Sequence, residues 1–229
     1  MHTTHTPQQY LYAPGCALTV YKPHLAEKLK TYAEQLYGPM ETLHTCCFHS
    51  PQLKPGTCIL TPCTTCVQRY THPYPDTSSV FLLSVLAEST DFPFPDYHGV
   101  TMSIQDTCSA RTRPEMLHTI RRLLERMHIT IVEPQSTGAR AKCCGQTFYG
   151  RLDTKKVEAL MKKRADEMPC EEVVVYCASC ITSMRVGGKR PRYILDLLFG
   201  EPTAPEHLSA DSWNRRLLDF RARSAKPQP

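Results

Sequence analysis

The sequence predicts an α/β protein made of two similar halves, with its chemistry in loops at strand ends. Three observations carry this. Five cysteines recur in the same order in each half, as Cys16…Cys46-Cys47…Cys63-x-x-Cys66 and Cys108…Cys143-Cys144…Cys177-x-x-Cys180. Short apolar or β-branched runs alternate with stretches of helical periodicity, the order of a small α/β unit in each half. The strand-like runs, in turn, lead directly into cysteines.

The first half opens with a short strand and turn over Leu11-Tyr-Ala-Pro-Gly-Cys16. A helix follows, because Pro23 suits a first helical position, Leu25, Leu29, Tyr32 and Leu36 share a face, and Gly38 can stop it. An extended stretch then runs into Cys46-Cys47. Thr57-Cys-Ile-Leu-Thr61 reads as a strand, Cys63-Thr-Thr-Cys66 as a turn or helix start, and Ser78 to Glu88 as a helix. The Pro-rich Phe92-Pro-Phe-Pro95 closes the half.

The second half repeats the order. Val100 to Ile104 is a strand leading to Cys108, and Met116, Leu117, Ile120, Leu123, Leu124 and Met127 form one helical apolar face. Ile129 to Val132 is a short β-branched strand. A helix over Asp153 to Met168 presents Val157, Leu160, Met161 and Ala165, and Val173-Val-Val-Tyr176 is a buried strand delivering Cys177. Arg192 to Gly200 reads as helical. An amphipathic segment with Trp213, Leu217 and Leu218 follows, then a tail, Ala225-Lys-Pro-Gln-Pro229, whose composition suits disorder. The predicted domains are residues 1–98, 99–203 and a C-terminal extension at 204–229.

With 41% hydrophobic residues among 229, a packed core is expected without disulfides. No apolar run reaches the eighteen residues of a membrane span, and the start Met1-His-Thr-Thr-His lacks the basic and apolar regions of a secretory signal. A cytoplasmic location follows as an expectation, and in that reducing compartment thiols persist as metal ligands or redox groups. The net charge of +5 is spread among acidic residues, and no aromatic-and-basic motif accompanies it, so no nucleic-acid partner is expected.

Twelve cysteines are more than packing explains. Cys58 and Cys170 lie outside both repeats, in or beside strand-like stretches, and are expected to be buried packing residues. The other ten fall five to a half. A tetrahedral zinc takes four ligands and a disulfide set an even number, so five leaves one over in either case. Iron–sulfur clusters are held by cysteine thiolates, and an adjacent pair can serve two irons or bridge them. A Cys-x-x-Cys alone also suits a thioredoxin-like thiol site, and zinc in one or both halves is the other alternative.

The run Cys108-x34-Cys143-Cys144-Gly145-x31-Cys177-x-x-Cys180 resembles the cysteine-rich CCG domain proteins, typified by the B subunit of heterodisulfide reductase and the iron–sulfur subunits of glycolate and lactate oxidation systems. The resemblance covers about the first 200 residues. It implies two pseudo-symmetric, Rossmann-like CCG half-domains packed together, each with a [4Fe–4S] cluster of the non-cubane kind held by five thiolates, one of them bridging. Cys108, Cys143, Cys144, Cys177 and Cys180 would hold one, and Cys16, Cys46, Cys47, Cys63 and Cys66 the other. The first half departs from the pattern: Phe48 stands where a glycine follows the other Cys-Cys pair, and the next gap is x15 against x32.

In heterodisulfide reductase relatives the substrate disulfide is taken to be split between two clusters, so the resemblance implies a disulfide or thiol substrate with the clusters as catalytic centre. Lys142, beside the second Cys pair, and Lys189-Arg190 are candidates for holding an anionic substrate, and His49 and His98 for donating a proton to a leaving thiolate. Solvated surface is the alternative for the three cations, and an ordinary polar residue for the two histidines. The chain has neither a ferredoxin-type Cys-x-x-Cys-x-x-Cys run nor a Gly-rich dinucleotide fingerprint, so its electrons are expected from a partner subunit carrying such clusters or a flavin. A non-catalytic electron-transfer module is the competing function, and a zinc-bound structural protein the third.

Overall fold

A computed structural model describes residues 9–44, 51–71, 76–204 and 209–224. The chain divides into two compact units, Met1–Val85 with Leu217–Pro229, and Leu86–Arg216.

The first unit holds strands β1 (Gln9–Tyr12), β2 (Glu41–Thr42), β3 (Thr57–Thr61) and β4 (Ser78–Phe81), all parallel, in the order β2-β1-β3-β4. Helix α1 (Cys16–Tyr21) follows β1. Helix α2 (Pro23–Tyr37) starts on Pro23 and ends at Gly38, which takes φ 82°. Leu25, Ala26, Leu29 and Ala33 are its buried face; Leu36, at the last turn, is exposed. Every residue of β3 is buried, as expected of an inner parallel strand with helices on both faces. Helices α3 (Thr64–Thr71) and α4 (Leu82–Glu88) complete the described elements before residue 90.

The second unit repeats the plan: β5 (Thr101–Gln105), β6 (Thr130–Val132), β7 (Glu172–Val175) and β8 (Arg190–Tyr193) form a parallel sheet in the order β6-β5-β7-β8. Helix α5 (Pro114–Arg126) buries Met116, Ile120, Leu123 and Leu124, and α6 (Thr154–Asp166) buries Val157, Met161 and Ala165. Helices α7 (Ala178–Val186) and α8 (Ile194–Leu198) follow β7 and β8. The last helix, α9 (Ala210–Ser224), buries Trp213 and leaves Leu218 exposed. By this division its residues to Arg216 fall in the second unit and those from Leu217 in the first.

The two sheets thus share one strand order. The difference between the halves lies where the sequence is shorter: α6 fills the connection from β6 to β7, and the described residues from β2 to β3 carry no helix.

Two predicted helices need correction. Ser78–Phe81 and Arg190–Tyr193 are strands, and helix begins only at Leu82 and Ile194. Both are edge strands, where one neighbour supplies the hydrogen bonds and Pro191 is tolerated. The predicted extended stretch into Cys46-Cys47 is seen only as Glu41–Thr42, and those cysteines, like the tail 225–229, lie outside the described residues.

Candidate metal centre

In each sheet the first and third strands lie side by side while their outgoing connections run to opposite edges. Such a switch point leaves a crevice at the carboxyl ends of the two strands. In the second unit, register pairs Gln105 of β5 with Val175 of β7. The chain leaves β5 through Asp106 and Thr107 into a 3-10 turn beginning at Cys108, and leaves β7 through Tyr176 into Cys177, the N-cap of α7, with Cys180 in its first turn.

Cys143 and Cys144 reach the same crevice on the segment after β6, which buried polar groups tie down. The Asp106 carboxylate, fully buried, accepts from both Nη atoms of Arg121 at 2.9 and 2.7 Å, the Gly138 amide at 2.7 Å, the Thr137 hydroxyl at 2.9 Å and the Tyr176 hydroxyl at 2.9 Å. Burial pushes this carboxyl up, but Arg121, Gly138 and Thr137 together hold it below its ordinary value. Arg164 of α6, also buried, donates to the Gln105 side-chain oxygen at 2.6 Å, to Glu167 at 2.6 Å and to the Ser136 carbonyl at 2.9 Å. Gln105 donates in turn to the Lys142 carbonyl at 3.0 Å, so strand, segment and helix share one network.

Gly145 closes the turn after the cysteine pair at φ 101°, and a Cβ there would stand 2.8 Å from Met161 Cγ and 3.1 Å from its backbone nitrogen. Only glycine permits both the left-handed backbone and this approach to α6.

The five thiols lie close enough to shift one another's pKa in a row: Cys108 with Cys143, Cys143 with Cys144, Cys144 with Cys180, and Cys180 with Cys177. Hydrogen bonds from Cys108 and Cys144 lower the Cys143 pKa against the effect of burial, and Thr147 adds to them from 3.0 Å. The Gly145 amide also donates to Cys143 Sγ, at 3.4 Å. The Cys180 thiol, with the amides of Ser179 and Cys180, lowers Cys177 to about 7. Cys144, beside the Cys143 thiolate, is pushed up to about 12, and the Ser183 hydroxyl donates to its sulfur at 3.3 Å.

Among the described residues no group of three or more His, Cys, Asp or Glu side chains has the arrangement of a site for a single ion. A row of five sulfurs, two of them favoured as thiolates and supplied with amide and hydroxyl donors, fits instead the all-sulfur ligation of a multi-iron cluster.

The first unit brings together three of its five predicted ligands. Cys16 begins α1 just after β1, and Cys63 and Cys66 follow β3 at the same switch point. Gly15, at φ 82°, passes so close that a Cβ would lie 3.3 Å from Cys63 Cβ and 3.4 Å from Cys66 Sγ. Arg221 of α9 donates from Nη2 to Cys16 Sγ at 3.8 Å. Cys46, Cys47 and His49 fall outside the described residues.

Of the other candidates, Lys142 lines a pocket with Cys108 and Cys143. Lys189, Arg190 and His98 do not join the sulfurs. Lys189 and His98 precede β8 and β5 and Arg190 opens β8, so parallel strands place them at the entry edge, away from the cysteines at the exit. There Lys189 donates to the carbonyls of Met168 and Cys170, Arg190 pairs with Glu171, and the exposed His98 lies beside Asp96. Cys58 is buried as expected, whereas Cys170 is only partly so, because it sits in the turn before β7 and not in the strand.

Asp106, Arg121, Arg164, Thr147, Ser183 and Arg221 escaped the sequence reading. Arg164 gave the one available signal, as a charged residue on the helix face that carries Val157, Met161 and Ala165.

Residues 102–185 match the family model of the cysteine-rich domain, CCG. The matched stretch runs from β5 to the end of α7 and contains all five sulfurs of the second row. This domain occurs in iron–sulfur oxidoreductases, and together with the clustered cysteines it suggests a redox protein of the iron–sulfur type. No curated protein matches the chain. No helix among the described residues is long and apolar enough to cross a membrane.

Proposed function

We propose that the chain is an iron–sulfur oxidoreductase subunit, similar in kind to the B subunit of heterodisulfide reductase, with a [4Fe–4S] cluster of the non-cubane kind on each five-cysteine motif. The observation that carries this is the convergence of Cys108, Cys143, Cys144, Cys177 and Cys180 into one row of sulfurs at the switch point. The reaction is the cleavage or formation of a disulfide: one S–S bond, two electrons and two protons on one side, two thiols on the other. When bound, such clusters supply the stored electrons and iron sites for sulfur.

The chain's residues supply the rest. Thr147 and the Gly145 amide stabilise negative charge on Cys143, the amides opening α7 do the same at Cys177, and Ser183 does so at Cys144. Asp106 and Arg164 hold the segments that carry these sulfurs. Electrons come from a partner subunit with ferredoxin-type clusters or a flavin.

Anaerobic purification with iron and sulfide analysis, and electron paramagnetic resonance before and after thiol, tests the assignment. About eight irons, four per motif, and a signal altered by thiol are expected. About four irons with a signal indifferent to thiol would favour a non-catalytic electron-transfer module. Zinc without iron would overturn both.

A further inference from the structure

We propose that the pocket beside Cys108 and Cys143 seats a small substrate bearing an anionic group, carboxylate or phosphate, on a short apolar stem. This rests on the redox assignment of the neighbouring sulfurs and names the class of molecule that reaches them. The pocket has a volume of about 460 Å³, within the range of small-molecule sites, and lies wholly in the second unit. It meets the sulfur row only at Cys108 and Cys143; Cys144, Cys177 and Cys180 are not in its lining.

Four cations line it, Arg111, Lys142, Lys163 and Arg164, against the single carboxylate of Glu167. Their pairing decides what is left for a ligand. Glu167 is taken twice, by Lys142 at 2.5 Å and by Arg164 at 2.6 Å, and Arg164 is further committed to Gln105 and Ser136. Arg111 donates its Nε to the Ala141 carbonyl at 2.5 Å, which leaves its two Nη groups. Lys163 is exposed and has no partner among the described residues. A guanidinium fork and an ammonium thus border the cavity without a counter-charge, a combination that recognises carboxylate or phosphate oxygens.

The opposite character is supplied by Phe148, an aromatic ring 38% exposed, and by half-buried Leu160 on the next turn of α6 from Lys163. An apolar stem against these two, with its anion on Arg111 and Lys163, directs the far end of the molecule toward Cys108 and Cys143.

The test uses the anaerobically purified full chain, whose iron and sulfide are counted first, and calorimetric titration with 3-mercaptopropionate and its neutral counterpart 3-mercapto-1-propanol. The acid is expected to bind at least about tenfold more tightly than the alcohol. Lys163→Gln should abolish most of that preference and Lys163→Arg keep it, with unchanged thermal unfolding because the side chain is exposed. Acetate and inorganic phosphate as competitors distinguish the two anions, and displacement by either supports the site. Equal affinity for acid and alcohol in iron-loaded protein, or an undiminished preference in Lys163→Gln, overturns the pocket alone. An iron-free sample that still prefers the acid overturns the cluster assignment alone.

Discussion

Gly145 and Asp106 show how single residues set the geometry of the second sulfur row. A methyl group at Gly145 meets both an unfavourable φ of 101° and the backbone of Met161 at 3.1 Å. Gly145→Ala is therefore expected to lower the unfolding free energy of the iron-free protein by about 2–3 kcal/mol in a denaturant titration. Asp106 accepts from four groups. An amide in its place would turn an NH2 toward donors and leave part of the Arg121 charge unanswered. Asp106→Asn should cost about 3 kcal/mol and lower iron retention during gel filtration, since the 137–144 segment loses its anchor. Neither role is visible in the linear sequence. The glycine after the Cys pair stands in the sequence as part of a motif, but the reason for it is α6, sixteen residues on; Asp106 finds partners at 121, 137, 138 and 176.

Among the elements, α7 has the most direct bearing on redox properties. Its N-cap is Cys177, its first turn holds Cys180, and Ser183 one turn later donates to Cys144 Sγ. Hydrogen bonds to ligating sulfurs stabilise the more negative, reduced state. Replacing Ser183 with alanine removes one, so the second centre's midpoint potential should fall in a titration followed by paramagnetic resonance, with the fold retained. Helices α2, α5 and α6 and strands β3 and β7 were legible in the sequence because burial imprints a period on them: Leu25 and Leu29, Ile120 and Leu124, and the unbroken Val173 to Val175. Strands β4 and β8 were not, because each is four residues long, lies at an edge and runs straight into a helix whose periodicity masks it.

At the scale of the molecule, the shared strand order β2-β1-β3-β4 and β6-β5-β7-β8 puts three cysteines, one after the first strand and two after the third, at the same place in each unit. The two sites draw on different strands, and so should be lost separately. Cys63→Ala with Cys66→Ala should bring iron from about eight to about four per chain, and Cys177→Ala with Cys180→Ala should do the same from the other side; all four together should leave none. That the cysteines sit at strand ends was readable from the runs preceding Cys16, Cys108 and Cys177. The pocket's cations were not readable as a set, since Arg111, Lys142 and Lys163 come from three separate segments.

The pairing of β5 with β7 also fixes an order of assembly. Ser103 meets Val173 across this pair, seventy residues apart in the chain. Until the two strands dock, the second motif offers a metal only the neighbouring sulfurs of Cys143-Cys144 or of Cys177-x-x-Cys180. Both are open to zinc or copper and too few for the full centre. Long-range docking is a late event in folding, because its loop-closure entropy must be met before its contacts form. On the proposed assignment, the second motif's five sulfurs stand together only once this sheet has closed.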